Sequence, residues 1–368
     1  MHTGRSRAPT RLRIALIGGG RIATTAHIPS LRSCRDATLV TIADSCIETA
    51  NATARMAGGV QAFQDYTVML REIRPDAVII CVPPAFHAQC TIAALESGAH
   101  VLCEKPPAMN ALEAAEMECV AAQEKRLLTY GFQFRFSRAA EAVKNFIDTG
   151  ELGTIHHTRA VWERRRGVPD WGSFRNPRLQ GGGVLSDIGV HMIDLSLWLN
   201  KFAVPISAFA KTHPAPQTIP AIGNQGRAPS RLSLEYRADG LVRFSDGSSL
   251  SIAAAYQGAN TPQAEVMKVT LFGERGSVDV FPPTVYHERD DVLLKTALGR
   301  DGSARARYHR QLAHFVDCCL GLAKPRSTAY QGVALQTLVD GLYESAAAGR
   351  SVPLSPQYSV IHERKEAQ

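Results

Sequence analysis

Residues 12 to 130 alternate between short apolar runs and alanine-rich stretches of helical character, and this alternation restricts the fold more than any other feature. The apolar runs are LRIALI, TLVTIA, DAVIICV, HVLCEK and RLLTYG. Nearly continuous apolar strands separated by helices are typical of a parallel sheet covered by helices on both faces. The first third of the chain is therefore predicted to form a doubly wound α/β domain.

The pattern changes after about Gly150. One more helix is predicted over 184–199, and helices return over 308–322 and 330–348. Hairpin spacing and the Asp-Gly turns, Asp239-Gly240 and Asp246-Gly247, indicate an α+β domain with a large, open, mostly antiparallel sheet. Its strands are predicted over 206–212, 231–236, 241–244, 249–256, 267–272 and 277–281, with a Pro/Gly-rich loop over 214–229.

A length of 368 residues also argues for two domains. We expect the parallel-sheet domain over 12–133 and the second domain over 134–355. A flexible basic tail over 1–11 and a short tail over 356–368 are expected at the ends. The helix over 330–348 is a candidate to pack back on the first domain.

Composition and charge exclude several classes of protein. With 45% hydrophobic and 20% charged residues, the chain is not typical of a disordered protein. The net charge is +7, and four arginines near the start account for four of these charges. The remaining charge of about +3 is too small to indicate nucleic-acid binding. We expect no membrane span, a cytoplasmic location and eight reduced cysteines without a structural metal.

A glycine-rich motif follows the first strand. Gly18, Gly20 and Ala23 form G-x-G-x-x-A between a predicted strand and a predicted helix, and Arg21 and Ile22 lie within it. The first glycine permits a tight turn, and the second lets the backbone approach a pyrophosphate at the helix N-terminus. This motif predicts dinucleotide binding, although a glycine-rich turn alone would give the same pattern.

Asp44 ends the second predicted strand, about 20 residues after the glycines. A carboxylate at this position binds the ribose hydroxyls of NAD and repels the 2′-phosphate of NADP. NAD is therefore favoured over NADP, while Arg21 in the glycine motif leaves NADP open. A helix-capping aspartate is the alternative interpretation.

Two segments end at the carboxyl ends of predicted parallel strands, where ligands bind in open α/β sheets. The first is VPPAFH, from Val82 to His87, and the second is EKP, from Glu104 to Pro106. Lys105 could hydrogen-bond an oxygen on a reacting carbon. The alternative is an ordinary solvated lysine.

The segment GGGVLSDIGVHMID places Asp187, His191 and Asp194 at i, i+4 and i+7, on one face of a helix. A carboxylate one turn from an imidazole can orient it and raise its basicity, as a general base requires. A helix cap, a buried structural histidine or a metal site would explain the same spacing.

The order GGGRIA, Asp44, VPPAFH, EKP and GGGVLSDIGVHMID resembles the Gfo/Idh/MocA oxidoreductases, the group of glucose-fructose oxidoreductase and inositol dehydrogenase. The resemblance covers about residues 12 to 355. It implies a Rossmann domain followed by a C-terminal α/β domain. It also implies NAD(P)-dependent oxidation of a secondary hydroxyl on a sugar, sugar derivative or cyclitol, or the reverse reduction. Lys105, Asp187 and His191 match the family's catalytic residues, so His191 would accept the hydroxyl proton, Asp187 would orient His191 and Lys105 would polarise the oxygen.

The same resemblance implies the other residues of the site, and we expect no metal ion in it. The expected cofactor-binding residues are Gly18, Gly20, Arg21, Ile22, Asp44, Val82, Pro83, His87, Glu104, Lys105 and Gln133. The expected substrate-binding residues are Arg164, Trp171, Arg175, Asp187 and His191. A solvated charged loop is the alternative for the segment around Arg164.

We expect an NAD-dependent dehydrogenase acting on a small sugar or cyclitol. A homodimer or homotetramer formed through the second sheet is also expected. The alternatives are a ketosugar reductase, an enzyme that cleaves glycosides by transient oxidation, and a non-catalytic nucleotide sensor. His191 stands where ketosugar reductases of the family often have tyrosine, which favours the dehydrogenase. Phe174-Arg175 stands where the family often has Trp-Arg, so this wall of the site differs.

Overall fold

The predicted parallel sheet is present in the computed structural model, which describes residues 11–165, 167–169, 174, 176–214, 221–222, 234–257 and 264–354. Its six strands lie in the order β3-β2-β1-β4-β5-β6, and every neighbouring pair is parallel. The strands are β1 (Leu12–Ile17), β2 (Ala37–Ala43), β3 (Gln61–Phe63), β4 (Ala77–Ile80), β5 (His100–Cys103) and β6 (Leu128–Tyr130). The sequence does not predict β3 because its three residues, QAF, form no apolar run.

Helices connect these parallel strands. They are α1 (Ile28–Ser33), α2 (Ile47–Met56), α3 (Tyr66–Ile73), α4 (His87–Glu96) and α5 (Ala111–Gln123), with a π-helical turn over Ala23–His27 and a 3-10 turn over Pro84–Phe86. The strand order reverses between β1 and β4, so the connections after these two strands leave in opposite directions. A crevice forms at such a switch point, at the carboxyl ends of the strands.

A crossover of a 3-10 turn (Gln133–Phe136) and α6 (Arg138–Asp148) leads to the second sheet. This sheet has nine strands in the order β16-β15-β14-β13-β7-β12-β11-β9-β17. The pair of β7 and β12 is parallel and the other pairs described are antiparallel. The strands are β7 (Ile155–Arg164), β9 (Pro205–Pro214), β11 (Glu235–Phe244), β12 (Ser249–Ala255), β13 (Glu265–Gly273), β14 (Gly276–Asp279), β15 (Thr284–Arg289), β16 (Val292–Ala297) and β17 (Val352–Pro353), while β8 (Val168–Pro169) and β10 (Ala221–Ile222) form a separate pair.

The fold class is therefore confirmed, with two differences in detail. The strands predicted over 231–236 and 241–244 are one strand, β11, in which Asp239 and Gly240 continue the ladder rather than turn; residues 231–233 lie outside the described part. The helix predicted over 184–199 begins with a π-helical turn over Leu185–Gly189 before α8 (Val190–Leu199). Most of the loop predicted over 214–229 also lies outside the described residues.

The remaining helices are α7 (Pro177–Gln180), α9 (Ala304–Cys319) and α10 (Ala329–Ala348). Helix α9 packs on the first sheet, because Leu312, Phe315 and Val316 share a buried cluster with strand β1. Helix α10 contacts both domains. Asp340 accepts a hydrogen bond from the backbone N–H of Ala111 in the first domain at 2.6 Å, and Ser345 accepts one from the N–H of Ala210 on β9 at 3.0 Å. Helices α9 and α10, from the last part of the chain, thus pack on the N-terminal domain.

Two further observations concern the chain as a whole. None of the helices within the described ranges is long and apolar enough to cross a membrane. All eight cysteines carry free thiols.

Candidate active site

One cleft begins at the switch point of the parallel sheet and continues along the second domain. Its volume is about 810 Å³, which is within the usual range for small-molecule sites. The glycine turn, the ends of β4 and β5, the segment around Asp187 and part of β7 all line it. Residues far apart in the sequence therefore meet around one space.

The glycine turn at the end of β1 has the shape that a pyrophosphate requires. Gly18 has a φ of +97°, and a Cβ atom there would lie 2.7 Å from the carbonyl carbon of Cys81. Around Gly20 no heavy atom lies within 4 Å of where a Cβ would be, so the backbone faces open space. Because the turn precedes a helical segment, its N–H groups favour an anion. The residues present therefore fit a dinucleotide.

Asp44 is held at the end of β2 by two backbone groups. Its Oδ2 accepts a hydrogen bond from the N–H of Gly19 at 2.8 Å, and its Oδ1 accepts one from Cys46 at 3.0 Å. Asp44 and Ser45 both line the cleft. The carboxylate is thus fixed beside the glycine turn, where it could accept hydrogen bonds from ribose hydroxyls.

Most of the expected cofactor-binding residues line the same cleft. They are Gly18, Gly20, Arg21, Ile22, Asp44, Val82, Pro83, Glu104, Lys105 and Gln133. Glu104 is 6% exposed and accepts a hydrogen bond from His27 Nε2 at 2.8 Å. Burial opposes ionisation of Glu104, but the hydrogen bond and charge of His27 outweigh it, so the pKa of Glu104 is lower than usual.

The structure corrects the expectation for His87. This imidazole is fully buried, with Nδ1 2.8 Å from the carbonyl oxygen of Pro106 and Nε2 3.0 Å from that of Val82. It joins the loops after β4 and β5 instead of lining the cleft. Because burial is the dominant influence, the pKa of His87 is lowered and the ring is neutral at pH 7, so it donates to only one of these two carbonyl oxygens at a time. It lies behind Val82 and Pro106, which line the cleft.

Gln133 meets a residue that the sequence motifs do not indicate. Its Nε2 donates a hydrogen bond to the hydroxyl of Tyr308 at 3.2 Å, and both residues line the cleft. The Oε1 of Gln133 is buried without a hydrogen-bond partner among the described residues. Tyr308 comes from α9, about 175 residues further along the chain, so no local pattern points to it.

Asp187 is fixed by Lys105 and Tyr256. The Nζ of Lys105 donates to Asp187 Oδ1 at 2.9 Å and to the Asp187 carbonyl at 2.8 Å. The hydroxyl of Tyr256 donates to Asp187 Oδ2 at 3.0 Å. Burial raises the pKa of Tyr256 well above its ordinary value, so this hydroxyl keeps its proton. The carboxylate of Asp187 therefore holds the ammonium group of Lys105 in the cleft.

His191 lies beside this pair but does not bond to Asp187. Its ring packs on Phe134 and Trp162, with centroid distances of 5.2 and 5.7 Å. Its Nδ1 is buried without a hydrogen-bond partner among the residues described. The predicted orientation of His191 by Asp187 is thus wrong in this geometry: Asp187 is in the π-helical turn before α8 and is directed at Lys105 and Tyr256.

The predicted rise in the basicity of His191 is also corrected. Burial, and after it the positive charges of Lys105, Arg307 and Arg164, lowers the pKa of His191 well below its ordinary value. The imidazole is therefore neutral at pH 7, with an unprotonated ring nitrogen, but it is a weaker base than an ordinary histidine. Two aromatic side chains, rather than a carboxylate, set its orientation.

Asp194 belongs to a structural pair. Its two oxygens accept hydrogen bonds from Nη2 and Nε of Arg135 at 2.5 and 3.0 Å. The two side chains are almost fully buried, with exposures of 0% and 1%. The pair ties α8 to the crossover segment that carries Gln133 and Phe134.

Glu235 anchors the start of the segment that carries the catalytic candidates. Its carboxylate accepts hydrogen bonds from the N–H groups of Gly183 and Leu185 at 2.9 and 3.2 Å, and from the hydroxyl of Tyr343 at 2.7 Å. It therefore satisfies donors at a helix start that would otherwise be unpaired. The sequence does not indicate this contact, because Glu235 is about 50 residues further along the chain.

The expected substrate-binding residues are described only in part. Arg164, Asp187 and His191 line the cleft, and Trp162 joins them. Trp171 and Arg175 lie outside the described residues. Among the residues described, no group of three or more His, Cys, Asp or Glu side chains is arranged to hold a metal ion.

Comparison with known proteins agrees with this architecture. The family model of the GFO_IDH_MocA oxidoreductase family, NAD-binding Rossmann fold, matches residues 12–132, and that of the GFO/IDH/MocA C-terminal domain matches residues 140–279. D-glucoside 3-dehydrogenase of Escherichia coli K12 is 34% identical over 344 residues, which are 93% of this chain and 97% of that enzyme.

Solved structures show the same fold. An oxidoreductase domain protein from Kribbella flavida superposes with a TM-score of 0.83 at 21% identity, covering 94% of this chain and all of the other. Levoglucosan dehydrogenase in complex with NADH and L-sorbose gives a TM-score of 0.81 at 21% identity, covering 94% of this chain and 99% of its own. On the matches to both of its domains and to a relative over nearly its full length, the chain belongs to the Gfo/Idh/MocA family of oxidoreductases.

Proposed function

We propose that this protein is an NAD-dependent dehydrogenase that oxidises a secondary ring hydroxyl of a sugar, with the 3-hydroxyl of a D-glucoside as the first candidate. The observation that carries the proposal is that Lys105, Asp187 and His191 meet in the same cleft as the glycine turn. The similarity to a D-glucoside 3-dehydrogenase supports the choice of hydroxyl.

The chain's own residues can perform the proton transfer. His191 is neutral and lines the cleft, so it accepts the hydroxyl proton of the substrate. Lys105, held by Asp187, donates a hydrogen bond to the same oxygen and stabilises the charge that develops there. When bound, NAD supplies the acceptor for the hydride from the same carbon. The glycine turn, Asp44 and Gln133 would hold it.

NAD is the proposed cofactor rather than NADP. The fixed carboxylate of Asp44 favours ribose hydroxyls and repels a 2′-phosphate. Its neighbour Ser45 carries no positive charge. Arg21 also lines the cleft.

We also propose that the second sheet forms the contact between copies of this chain. Phe209 and Leu241 are paired across β9 and β11, and their exposures are 50% and 45%. Neighbouring residues of the opposite orientation, Ala208 and Ala210, are buried. These two exposed apolar side chains, which lie side by side on the sheet, support the proposal.

The proposed function is tested by measuring NADH formation with a set of methyl D-glucosides and inositols. His191→Ala should lower kcat roughly 10²–10⁴-fold, because the proton acceptor is removed, while the Kd of NADH stays unchanged. His156→Ala is the matched control, because His156 is exposed on β7. An unchanged kcat in His191→Ala would exclude His191 as the base, and a wild-type protein that oxidises none of these compounds would contradict the proposal.

A further inference from the structure

Glu265 fixes the side chains of Trp162 and Arg164, which line the cleft where the second domain borders it. We call this part, where the sugar is proposed to bind, the sugar end of the cleft. Glu265 is the first residue of β13 and is paired in register with Arg164 on β7. Its Oε1 accepts a hydrogen bond from Trp162 Nε1 at 2.7 Å and another from Arg164 Nε at 3.1 Å. The guanidinium of Arg164 also lies 5.6 Å from the centre of the Trp162 ring. One carboxylate oxygen therefore orients both cleft residues.

Within the described ranges, each positive charge near His191 is paired with a carboxylate. Three cations lie close enough to His191 to lower its pKa, and each is paired with a carboxylate within 3.1 Å. Among the described residues, this part of the site therefore carries no net charge from the three pairs. The pairs are Lys105 with Asp187, Arg164 with Glu265, and Arg307 with Asp301.

Arg164 also has hydrogen-bonding capacity that its contact with Glu265 does not use. Its Nη1 is buried and has no hydrogen-bond partner within the described part of the chain. A guanidinium has five N–H donors in a planar fork, and without a nearby carboxylate it prefers a carboxylate or phosphate. When one edge is already paired, the other donors can serve the hydroxyl groups of a neutral ring.

We propose that Glu265 is a specificity-determining residue: by pairing with Arg164, it makes the sugar end of the cleft accept an uncharged ring and disfavour a ring that carries a carboxylate or phosphate. This inference rests on the proposed function and narrows its substrate class to neutral sugars, glycosides and polyols. The discrimination is electrostatic: Glu265 does not itself line the cleft, but its carboxylate lies 3.1 Å from Arg164 Nε and offsets the attraction of that guanidinium for an anionic ring.

The test compares methyl β-D-glucopyranoside with methyl β-D-glucuronide, which carries a carboxylate at C6. Glu265→Gln keeps an oxygen that accepts from Trp162 and Arg164 but removes the charge. We expect the ratio of kcat/KM for the neutral over the anionic glycoside to fall about tenfold in this variant, mainly through a lower KM for the glucuronide. Glu288→Gln, an exposed site on β15 with the same change in net charge, should leave the ratio unchanged.

A double variant shows whether the effect acts through Arg164. In an Arg164→Gln background, Glu265→Gln should change the ratio much less, because no guanidinium is released and only the direct repulsion by Glu265 is removed. An unchanged ratio in the single variant, or a wild-type preference for the glucuronide, would overturn the inference while leaving the proposed function intact. A wild type that oxidises neither glycoside would overturn both.

Discussion

Gly18 and Gly20 belong to one turn, but each is required for a different reason. Gly18 is required by the protein itself, because its positive φ and its contact with the backbone of Cys81 exclude a side chain. Gly20 has open space around it, so the protein alone tolerates a side chain there. A pyrophosphate that approaches this backbone closely would give a reason for a glycine at this position.

A pair of alanine substitutions separates the two roles. Gly18→Ala should lower the melting temperature, because it combines backbone strain of about 1–2 kcal/mol with a steric clash. Gly20→Ala should leave the melting temperature unchanged but raise the Kd of NADH about tenfold or more, because its methyl group projects toward the cofactor. Thermal unfolding and fluorescence titration measure the two effects. An unchanged Kd in Gly20→Ala would mean that the cofactor does not approach this glycine.

Single residues also show where prediction from the sequence ends. The motifs indicate Lys105, Asp187 and His191, because each lies in a compact pattern at the end of a strand or in a helix. They do not indicate that Tyr256 binds Asp187, because this partner is 69 residues away. Trp162, Glu265 and Tyr308 are missed for the same reason: their positions depend on strand register and helix packing, which no local pattern contains.

At the scale of elements, the buried pair of Arg135 and Asp194 joins α8 to the crossover after β6. The pair lies one turn beyond His191, so it fixes the helix that carries the proposed proton acceptor. Burial raises the pKa of Asp194 even though Arg135 favours its ionised form. The sequence spacing groups Asp194 with Asp187 and His191, whereas the structure assigns it to this interaction.

Breaking the pair should therefore destabilise the protein strongly. Asp194→Asn leaves the fully buried guanidinium of Arg135 without its counter-charge, and we expect the free energy of unfolding to fall by about 3–5 kcal/mol. Asp148→Asn is the control: it removes the exposed partner of Lys144 on α6, where a loss of about 0.5 kcal/mol or less is expected. Urea unfolding measures both values, and equal losses in the two variants would contradict the assignment.

The prediction of elements succeeded where the apolar pattern was strong. Five of the strands of the parallel sheet coincide with apolar runs, since a strand buried on both faces requires apolar residues throughout. Strand β3 has three residues and no such run. The π-helical turn at Leu185–Gly189 makes hydrogen bonds with Lys105 and Glu235, which are distant in sequence, and residue spacing alone predicts an ordinary helix there.

At the scale of the whole molecule, two fully buried neutral histidines, His87 and His191, make stability depend on pH. Their pKa values in the folded protein are lower than in the unfolded chain, where histidine titrates near 6.5. Below that pH the unfolded chain binds protons that the native protein does not. Stability is therefore retained above about pH 6.5 and falls as the pH decreases toward the folded values.

Urea unfolding at pH 7.5 and 5.5 tests this dependence. In the wild type, each of these histidines should contribute to a loss of stability at pH 5.5, with an upper limit of about 1.4 kcal/mol for a group that titrates near 6.5 in the unfolded chain. His191→Asn should show a correspondingly smaller loss, because one imidazole no longer titrates. His156→Asn, on the surface, should show the full wild-type loss. The same loss in all three proteins would mean that His191 is protonated in the folded state.

The packing of α9 on the first sheet has a consequence for synthesis. Leu312, Phe315 and Val316 cover apolar residues of β1, so the N-terminal core is incomplete when β6 has left the ribosome. Roughly 190 residues separate the end of β6 from the end of α9. At about 5–20 residues per second, their synthesis takes roughly 10–40 s. During that interval the nascent chain exposes a surface that binds chaperones and favours aggregation. We therefore expect the yield of folded protein to depend on the speed of translation and on the supply of chaperones, even though the finished fold is well packed.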